Sequence, residues 1–235
     1  MSLIDRVARR AGPRLSPRLT RFTRRARLGS LRRTTPLSER WGYDRGQPID
    51  RFYIDRFLAG QRSDVRGELL EVKEPLYAER YGTDVVRCDI LDVDTANEQA
   101  TVLADLGNDE SLPSERFDCI LLTQTLQYVA DVPAAVRNLR RALRVGGVLL
   151  LTVPGVNRAD EDPRSPSLWS FTAAGCERLL EAEFRSENVS VRSYGNVLTA
   201  IAFLSGMSKD ELTAEELDVH DVRFPVIVAA RAVRS

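Results

Sequence analysis

Residues 68–75 read Glu-Leu-Leu-Glu-Val-Lys-Glu-Pro, an apolar run followed by charged residues and a proline. The apolar run, Glu68–Val72, is typical of a buried strand, and a short helical stretch, Pro75–Tyr81, follows it. A second strand-like run, Asp84–Leu91, comes next. Because two strands joined through a helix need a crossover connection, the sequence predicts that they lie parallel in one sheet.

The same alternation continues to the end of the chain. Five further strand-like runs are Ala100–Leu106, Phe117–Thr123, Val148–Val153, Val189–Tyr194 and Phe224–Ala232. Helical stretches between them are Pro133–Leu143, Ala173–Glu183 and Val197–Leu204. The last run lacks a full crossover, which predicts an antiparallel strand. We therefore expect an α/β fold of the Rossmann-like doubly wound type, with a mostly parallel seven-stranded sheet and an antiparallel last strand.

Capping residues predict several helix ends. Asp131 and Thr172 occupy N-cap positions, and the pairs Ser208/Glu211 and Thr213/Glu216 have the spacing of capping boxes. The pair Gly146-Gly147 is expected to end the helix that begins after Asp131.

Charge is divided unevenly along a chain whose formal net charge is zero. Residues 1–40 contain twelve arginines and two acids, a local balance of +10, so the remainder carries −10. We interpret residues 1–40, which also contain three prolines, as a flexible basic extension, and residues 41–235 as the folded domain. A weak contact of the extension with an anionic surface is expected, although arginine is preferred to lysine throughout the chain.

Composition argues against several other classes of protein. No apolar run approaches the roughly 18 residues that span a bilayer, and no secretory signal is recognisable. Cys88, Cys119 and Cys176 lie far apart, which predicts neither a disulfide framework nor a metal site and favours a cytoplasmic location.

Acidic residues lie at or near the ends of the first three strand-like runs: Glu71, Asp89 and Asp105. In a doubly wound sheet, ligands bind outside the carboxyl ends of the strands. The separation of 18 residues between Glu71 and Asp89 is close to the roughly 20 expected between a nucleotide-binding turn and the acid that binds a ribose diol. Asp105 is placed to accept a hydrogen bond from an exocyclic amine.

Several segments carry a family resemblance, in the order and at the distances that the family requires. They are Leu69–Val72, Ala104–Leu106, Phe117–Leu121, the helix after Asp131, Leu143–Leu150, Trp169–Thr172 and Phe224–Ala230. This set resembles class I S-adenosylmethionine (SAM)-dependent methyltransferases over about residues 67–185. The block from Trp41 to Asp50 is similar to that of uncharacterised bacterial members, some associated with glycan-modifying genes. The resemblance implies SAM as cofactor, bound by Glu71, Lys73, Asp89, Asp105, Leu106, Thr123 and Gln124.

The turn after Glu71 departs from the family pattern. A glycine-rich turn is usual there because glycine lets backbone amides approach the cofactor closely, but here Lys73, Glu74, Pro75 and Tyr77 occupy the stretch. Lys73, Arg45 and Arg51 are candidates for a carboxylate clamp in place of the amides, or they are solvated surface charges.

Four residues are candidates for contact with the methyl acceptor. Gln127 and Tyr128 follow the fourth strand-like run, and Trp169 and Arg45 lie in other parts of the sequence. His220 is the sole histidine and is a candidate base, with Asp218 or Asp221 as its orienting partner. All three belong to the long segment 195–223 before the last strand, which we expect to form a wall of the acceptor pocket.

Three functions follow as hypotheses. The first is methyl transfer from SAM to oxygen or nitrogen of a small-molecule or glycan-type acceptor. The second is a catalytically silent methyltransferase-like domain that binds a partner, which the altered turn favours. The third is a nucleic-acid methyltransferase recruited by the basic extension; the acidic domain argues against it, and no nucleic-acid partner is expected.

Overall fold

The computed structural model describes residues 29–108, 112–160, 162 and 165–235. Contacts divide the chain into two units at Thr35/Pro36. Within the first unit, Gly29–Leu31 forms one 3₁₀ turn, and the predicted flexibility of residues 1–28 lies outside the described residues. The second unit, residues 36–235, begins five residues earlier than the predicted boundary at Trp41.

A seven-stranded sheet forms the centre of this unit, with strand order β3-β2-β1-β4-β5-β7-β6. The strands are β1 (Gly67–Val72), β2 (Val85–Asp92), β3 (Val102–Leu103), β4 (Phe117–Thr123), β5 (Leu143–Pro154), β6 (Val189–Tyr194) and β7 (Ile227–Val233). Strands β1 to β5 pair in parallel, and β7 pairs antiparallel with both β5 and β6. The predicted fold class and the antiparallel last strand are confirmed.

Six α-helices accompany the sheet in the described part of the chain. They are α1 (Ile49–Ala59), α2 (Leu76–Tyr81), α3 (Val132–Ala142), α4 (Ala173–Glu181), α5 (Val197–Leu204) and α6 (Ala214–Asp218). The N-caps at Asp131 and Thr172 and both predicted capping boxes are present. No helix among these residues is long and apolar enough to cross a membrane.

The end of α3 differs from the prediction. Helix α3 passes directly into β5 at Leu143, so Gly146 and Gly147 lie inside the strand and do not cap the helix. Gly146 has φ +82° and donates its N–H to Arg234 O (2.7 Å), so the glycine accommodates an irregular start of the strand next to the end of β7.

Two hydrophobic layers cover the two faces of the sheet, because alternate residues of each strand point to opposite sides. Helices α3 and α4 pack on one face against Leu70, Ile120 and Leu149. Helices α1, α2 and α5 pack on the other face against Leu69, Cys119 and Leu150. The carboxyl ends of the parallel strands remain as the edge where loops from both layers meet.

The segment 195–223 packs against the block that precedes α1. Leu37 N–H donates to Ser205 O (2.7 Å), Lys209 N–H donates to Gln47 O (2.8 Å), and Pro48 and Ser208 form a β-bridge. Gly206 has φ +76°, and a Cβ at this position would lie 2.6 Å from Ser38 O. This close approach of two backbones requires glycine.

Candidate functional site

The carboxyl edge of the sheet brings the residues at the ends of neighbouring strands into one row. Lys73 N–H donates to Leu91 O (3.0 Å), which places Lys73 beside the end of β2. Ala104 N–H donates to Asp92 O (3.1 Å), and Gln124 N–H donates to Thr152 O (2.8 Å). In sheet order the edge therefore runs from the residues after β3, through Asp92 and Lys73, to Gln124 after β4.

Glu71 fixes the turn between β1 and α2. Its Oε1 accepts from Tyr77 N–H and its Oε2 from Ala78 N–H, both at 2.8 Å. The carboxylate thereby satisfies two of the amides that a helix N-terminus leaves without intrahelical partners. Burial raises the pKa of Glu71 to about 7, against the opposing effect of the two backbone hydrogen bonds. Glu71 therefore holds the shape of the turn through these two hydrogen bonds.

The turn keeps a left-handed backbone without glycine. Lys73 has φ +69°, a conformation that costs a residue with a side chain about 1 kcal/mol or more. Lys73 is exposed, whereas Tyr77 is buried and stacks on Tyr81. A buried aromatic ring thus follows this turn closely.

Asp92, and not Asp89, lies at the end of β2. Asp92 accepts from the N–H groups of Val93 (2.7 Å) and Asp94 (3.0 Å) and from the Asn97 side-chain amide (2.8 Å). The same amide donates to Lys73 O (2.8 Å), so Asn97 joins the ends of β1 and β2. Although burial opposes the shift, these hydrogen bonds hold the pKa of Asp92 below its usual value.

Asp89 lies three residues before the end of the strand and has structural partners. Its carboxylate forms ion pairs with Arg87 (2.8 Å) and Arg116 (2.6 Å) and accepts from the Thr101 hydroxyl (3.1 Å). Its side chain is only 2% exposed. Burial opposes the shift, but the bonds to Arg116, Arg87 and Thr101 lower the pKa of Asp89. Asp89, which the sequence predicted to bind the ribose diol, therefore lies away from the row of residues at the carboxyl ends of the strands.

Asp105 and Leu106 follow β3 and differ in exposure. Asp105 is exposed, and its Oδ1 accepts from Gly107 N–H (2.8 Å). Leu106 is 3% exposed and belongs to the hydrophobic layer under α3. Only the Asp105 carboxylate is accessible to a ligand.

Near the end of β4, several buried polar atoms have no hydrogen-bond partner among the described residues. Gln124, next to the last strand residue Thr123, has φ +48°, and its Nε2 has no hydrogen-bond partner. Gln127 Nε2 donates to Gln124 O (2.9 Å), whereas Gln127 Oε1 and Thr152 Oγ1 are unpaired. Buried polar groups are normally hydrogen-bonded, so unpaired ones beside a strained residue indicate a place for a polar ligand.

The loop after β5 closes over this region. Leu168 N–H donates to Gln127 O (2.7 Å), and Trp169 Nε1 donates to Val129 O (2.9 Å). The Tyr128 hydroxyl donates to Asp160 (3.4 Å). Trp169 nevertheless remains 47% exposed. Tyr128 and Trp169 are therefore held by contacts between the loops after β4 and β5, and their assignment to the acceptor stays a prediction.

Two arginines before α2 have different surroundings. Arg45 forms an ion pair with Glu211 (2.5 Å), away from the turn. Arg51, on α1, donates to the Tyr43 hydroxyl (3.0 Å) and lies beside Tyr77 and Asp50. Asp50 Oδ1 is buried and has no partner, and burial raises the pKa of this carboxyl. Asp50 was missed from the sequence because an acid in the first turn of a helix is ordinary.

His220 and Asp221 lie near β6. His220 is exposed, and its Nε2 is 3.1 Å from Ser193 Oγ on that strand. Asp221 pairs with Arg223 (2.6 Å), whose hydrogen bonds lower the Asp221 pKa to about 2. Three strand spacings separate β6 from β4, or about 14 Å. The catalytic assignment of this pair stays a prediction.

Among the described residues, no group of three or more histidine, cysteine or acidic side chains is arranged to bind a metal.

Comparison with known proteins identifies the fold. Residues 70–151, from β1 through most of β5, match the family described as a methyltransferase domain. Over these residues, about a third of its length, the chain is similar to a methyltransferase domain. No curated protein matches the sequence.

Solved structures agree with this fold at low identity. A SAM-dependent methyltransferase from Mesorhizobium loti has a TM-score of 0.51 and 16% identity, over 79% of this chain and 98% of its own. A Burkholderia thailandensis N1-methyltransferase with bound 1,6-didemethyltoxoflavin and S-adenosylhomocysteine has a TM-score of 0.50 and 13% identity, over 81% and 80% of the two chains. The cyclase SpnF has a TM-score of 0.51 and 16% identity, over 81% and 84%. Because a cyclase also has this fold, the fold alone does not identify the reaction.

Proposed function

We propose that this methyltransferase domain binds SAM at the carboxyl edge of the sheet and transfers its methyl group to oxygen or nitrogen of a small-molecule or glycan-type acceptor. The observation that carries the proposal is the row formed by Asp105, Asp92 and Lys73 at the ends of three neighbouring strands. SAM supplies the methyl group as an electrophile when it is bound.

The acids of the row suit the adenosine half of SAM. Asp92 is held ionised by the amide of Asn97 and by two backbone N–H groups, and an ionised carboxylate accepts both hydroxyls of a ribose diol. Asp105 has an exposed carboxylate that can accept from the adenine amine. We therefore assign the diol to Asp92, in place of Asp89.

The methionine half requires groups other than glycine amides. A guanidinium binds a carboxylate through two parallel hydrogen bonds. Arg51 lies beside the altered turn. The neighbouring Asp50 has a buried oxygen without a partner, which suits an ammonium group. We assign Arg51 and Asp50 to the carboxylate and ammonium of SAM, with Lys73 as a further cation at the turn.

The acceptor side of the site is polar and neutral. Gln124, Gln127 and Thr152 offer unpaired atoms that include an amide donor, an amide acceptor and a hydroxyl. Trp169 adds a half-exposed aromatic surface. These groups favour a neutral hydroxyl or ring nitrogen in the acceptor over a phosphate. The Burkholderia structure, which has 1,6-didemethyltoxoflavin bound, is consistent with a small-molecule acceptor.

Calorimetric titration of the full chain with SAM and with S-adenosylhomocysteine tests the proposal. Binding of both, followed by transfer of labelled methyl to members of an acceptor panel, is the expected result. Absence of binding at millimolar concentrations would favour a silent partner-binding domain, for which the buried Tyr77 and the missing donor at Pro75 are the specific observations. Salt-sensitive RNA or DNA binding would favour the nucleic-acid alternative.

A further inference from the structure

Arg158 joins the segment that follows β5 to the block of residues before α1. Its guanidinium carbon lies 4.0 Å from the centre of the Trp41 ring, which is the geometry of a cation–π contact. The same guanidinium donates to Glu39 O (2.7 Å) and to the Glu39 carboxylate (3.4 Å). Among residues 155–160, all of which the structure describes, Arg158 is the one whose hydrogen bonds and ring contacts reach residues 36–48.

Trp41 is a fixed platform for this contact. Its backbone is left-handed (φ +52°), and the next residue, Gly42, donates its N–H to Ser38 Oγ (3.1 Å) in the same turn. Gly42 packs so closely on the segment after α5 that a Cβ there would lie 2.8 Å from Met207 O. Trp41 itself is half-buried and packs against the hydrophobic layer of α1, α2 and α5. These contacts hold Trp41 without the help of Arg158.

Segment 155–160, in contrast, depends on Arg158. Gly155 N–H donates to Val226 O (3.0 Å) at one end, and Asp160 N–H donates to the Ser167 hydroxyl (3.1 Å) at the other. Between these two ends, the hydrogen bonds and ring contacts with the rest of the described chain are those of Arg158. Removal of the Arg158 side chain therefore loosens the segment while the platform stays in place.

Asp160 transmits the position of this segment to the acceptor side of the proposed site. It lies two residues after Arg158, and its carboxylate accepts from the Tyr128 hydroxyl (3.4 Å). Burial raises the pKa of Tyr128, so the phenol keeps the proton that it donates. Tyr128 directly follows Gln127, whose side-chain oxygen is buried and unpaired. A shift of the segment would therefore move a ring that we assign to the acceptor.

We propose that Arg158 is a positioning residue for the methyl acceptor. Stacked on Trp41, it holds segment 155–160 so that Asp160 keeps the Tyr128 ring in place. This inference rests on the proposed function, because the acceptor side is assigned there. Since protein groups already engage its guanidinium, Arg158 acts through position and not as an anion-binding group. Binding of SAM should not depend on it, because the groups assigned to SAM lie on or directly after α1 and β1 to β3.

Tryptophan fluorescence tests the contact without any ligand. The chain has two tryptophans, so Trp169→Phe leaves Trp41 as the sole emitter. In that protein, Arg158→Gln should raise acrylamide quenching of Trp41 about twofold, because the guanidinium no longer covers one face of the ring. Arg192→Gln is the matched control and should leave the quenching unchanged, since Arg192 lies 5.1 Å from the Tyr194 ring on β6.

Kinetics test the positioning, with a panel of glycosides, phenols and nitrogen heterocycles as acceptors. Arg158→Gln should raise the KM for a methylated acceptor about fivefold or more, whereas kcat and the affinity for S-adenosylhomocysteine should change by less than about twofold. Arg158→Lys keeps a cation above the ring and should recover part of the loss. Thermal melts of each variant establish that the protein remains folded.

Unchanged quenching of Trp41, or an unchanged KM for the acceptor, would overturn the inference and leave the proposed function intact. A parallel loss of affinity for S-adenosylhomocysteine would show that Arg158 supports the whole site. A loss confined to anionic acceptors would make Arg158 a direct contact, and either result excludes the positioning role. If wild-type protein methylates no member of the panel, the proposed function fails and the inference fails with it.

Discussion

The side-chain amide of Asn97 donates to both the Asp92 carboxylate and the Lys73 carbonyl, each at 2.8 Å. This amide joins the acid at the end of β2 to the left-handed residue of the altered turn. The acid at the end of β2 and the altered turn are therefore held in one hydrogen-bonded unit.

Asp92→Ala is expected to weaken SAM binding by about 1.5–3 kcal/mol, the value of a charge-assisted hydrogen bond to a diol. Asp89→Ala should instead lower the free energy of unfolding by about 2–3 kcal/mol, because it leaves Arg116 and Arg87 without their buried partner. Calorimetry with SAM and urea denaturation separate the two effects. Loss of SAM affinity in folded Asp89→Ala, with normal affinity in Asp92→Ala, would reverse the assignment.

Arg51→Gln is expected to weaken binding of SAM while leaving adenosine binding unchanged. The guanidinium lies beside the turn and Tyr77, where only the methionine half of the cofactor would reach it. A lost charge-assisted bond corresponds to about 1.5–3 kcal/mol in the affinity for SAM. Arg45→Gln serves as the control because Arg45 pairs with Glu211. An equal loss for SAM and adenosine would mean that Arg51 supports the fold of the site.

Glu71 should give the stability of the protein a pH dependence. Burial raises its pKa from 4.5 to about 7 in the folded chain, so the folded state holds the proton more tightly than the unfolded state. The resulting stabilisation is complete below about pH 4.5 and is lost as pH rises through about 7, by up to roughly 3 kcal/mol.

Urea denaturation between pH 5 and 8 measures this effect against Glu71→Gln, which does not titrate. The difference in unfolding free energy between wild type and Glu71→Gln should fall as pH rises. A difference that stays constant or grows across this range would show that the two backbone N–H donors outweigh burial.

The sequence predicted the fold class and most elements because most strands have a strong apolar pattern and several helices have unambiguous caps. Phe117–Thr123 and Val189–Tyr194 coincide with β4 and β6. The predicted strand Ala100–Leu106 is shorter in the structure, Val102–Leu103, because Asp105 accepts from Gly107 N–H in the following turn and Leu106 packs in the hydrophobic layer under α3.

The site was harder to predict because it depends on register. Asp89 and Asp92 lie on the same strand, and the spacing from Glu71 fits both, so only the pairing of Val72 with Leu91 shows which acid reaches the edge. Asp50 and Asn97 carried no sequence signal, because their significance depends on contacts with residues far along the chain or on a buried oxygen.

Gly206→Ala should destabilise the protein more than Gly146→Ala. Both glycines have positive φ, +76° and +82°, so both substitutions cost about 1–2 kcal/mol for the left-handed backbone. At Gly206 the new Cβ would also lie 2.6 Å from Ser38 O, whereas at Gly146 nothing lies within 4 Å. Relieving that overlap adds about 1–3 kcal/mol. Equal losses in urea denaturation would contradict the close packing of residues 36–48 on the segment after α5.

His220→Ala should leave methyl transfer unchanged once an acceptor is known. His220 contacts Ser193 on β6, and Asp221, its predicted partner, is occupied by Arg223. The three strand spacings between β6 and β4, about 14 Å, exceed the reach of a hydrogen bond to an acceptor held by Gln124 and Gln127. Gln127→Ala is the comparison and should slow turnover by removing a buried polar contact. If His220→Ala and His220→Gln both abolish turnover with SAM affinity intact, His220 acts as the base, and the segment 195–223 must close over the acceptor during the reaction.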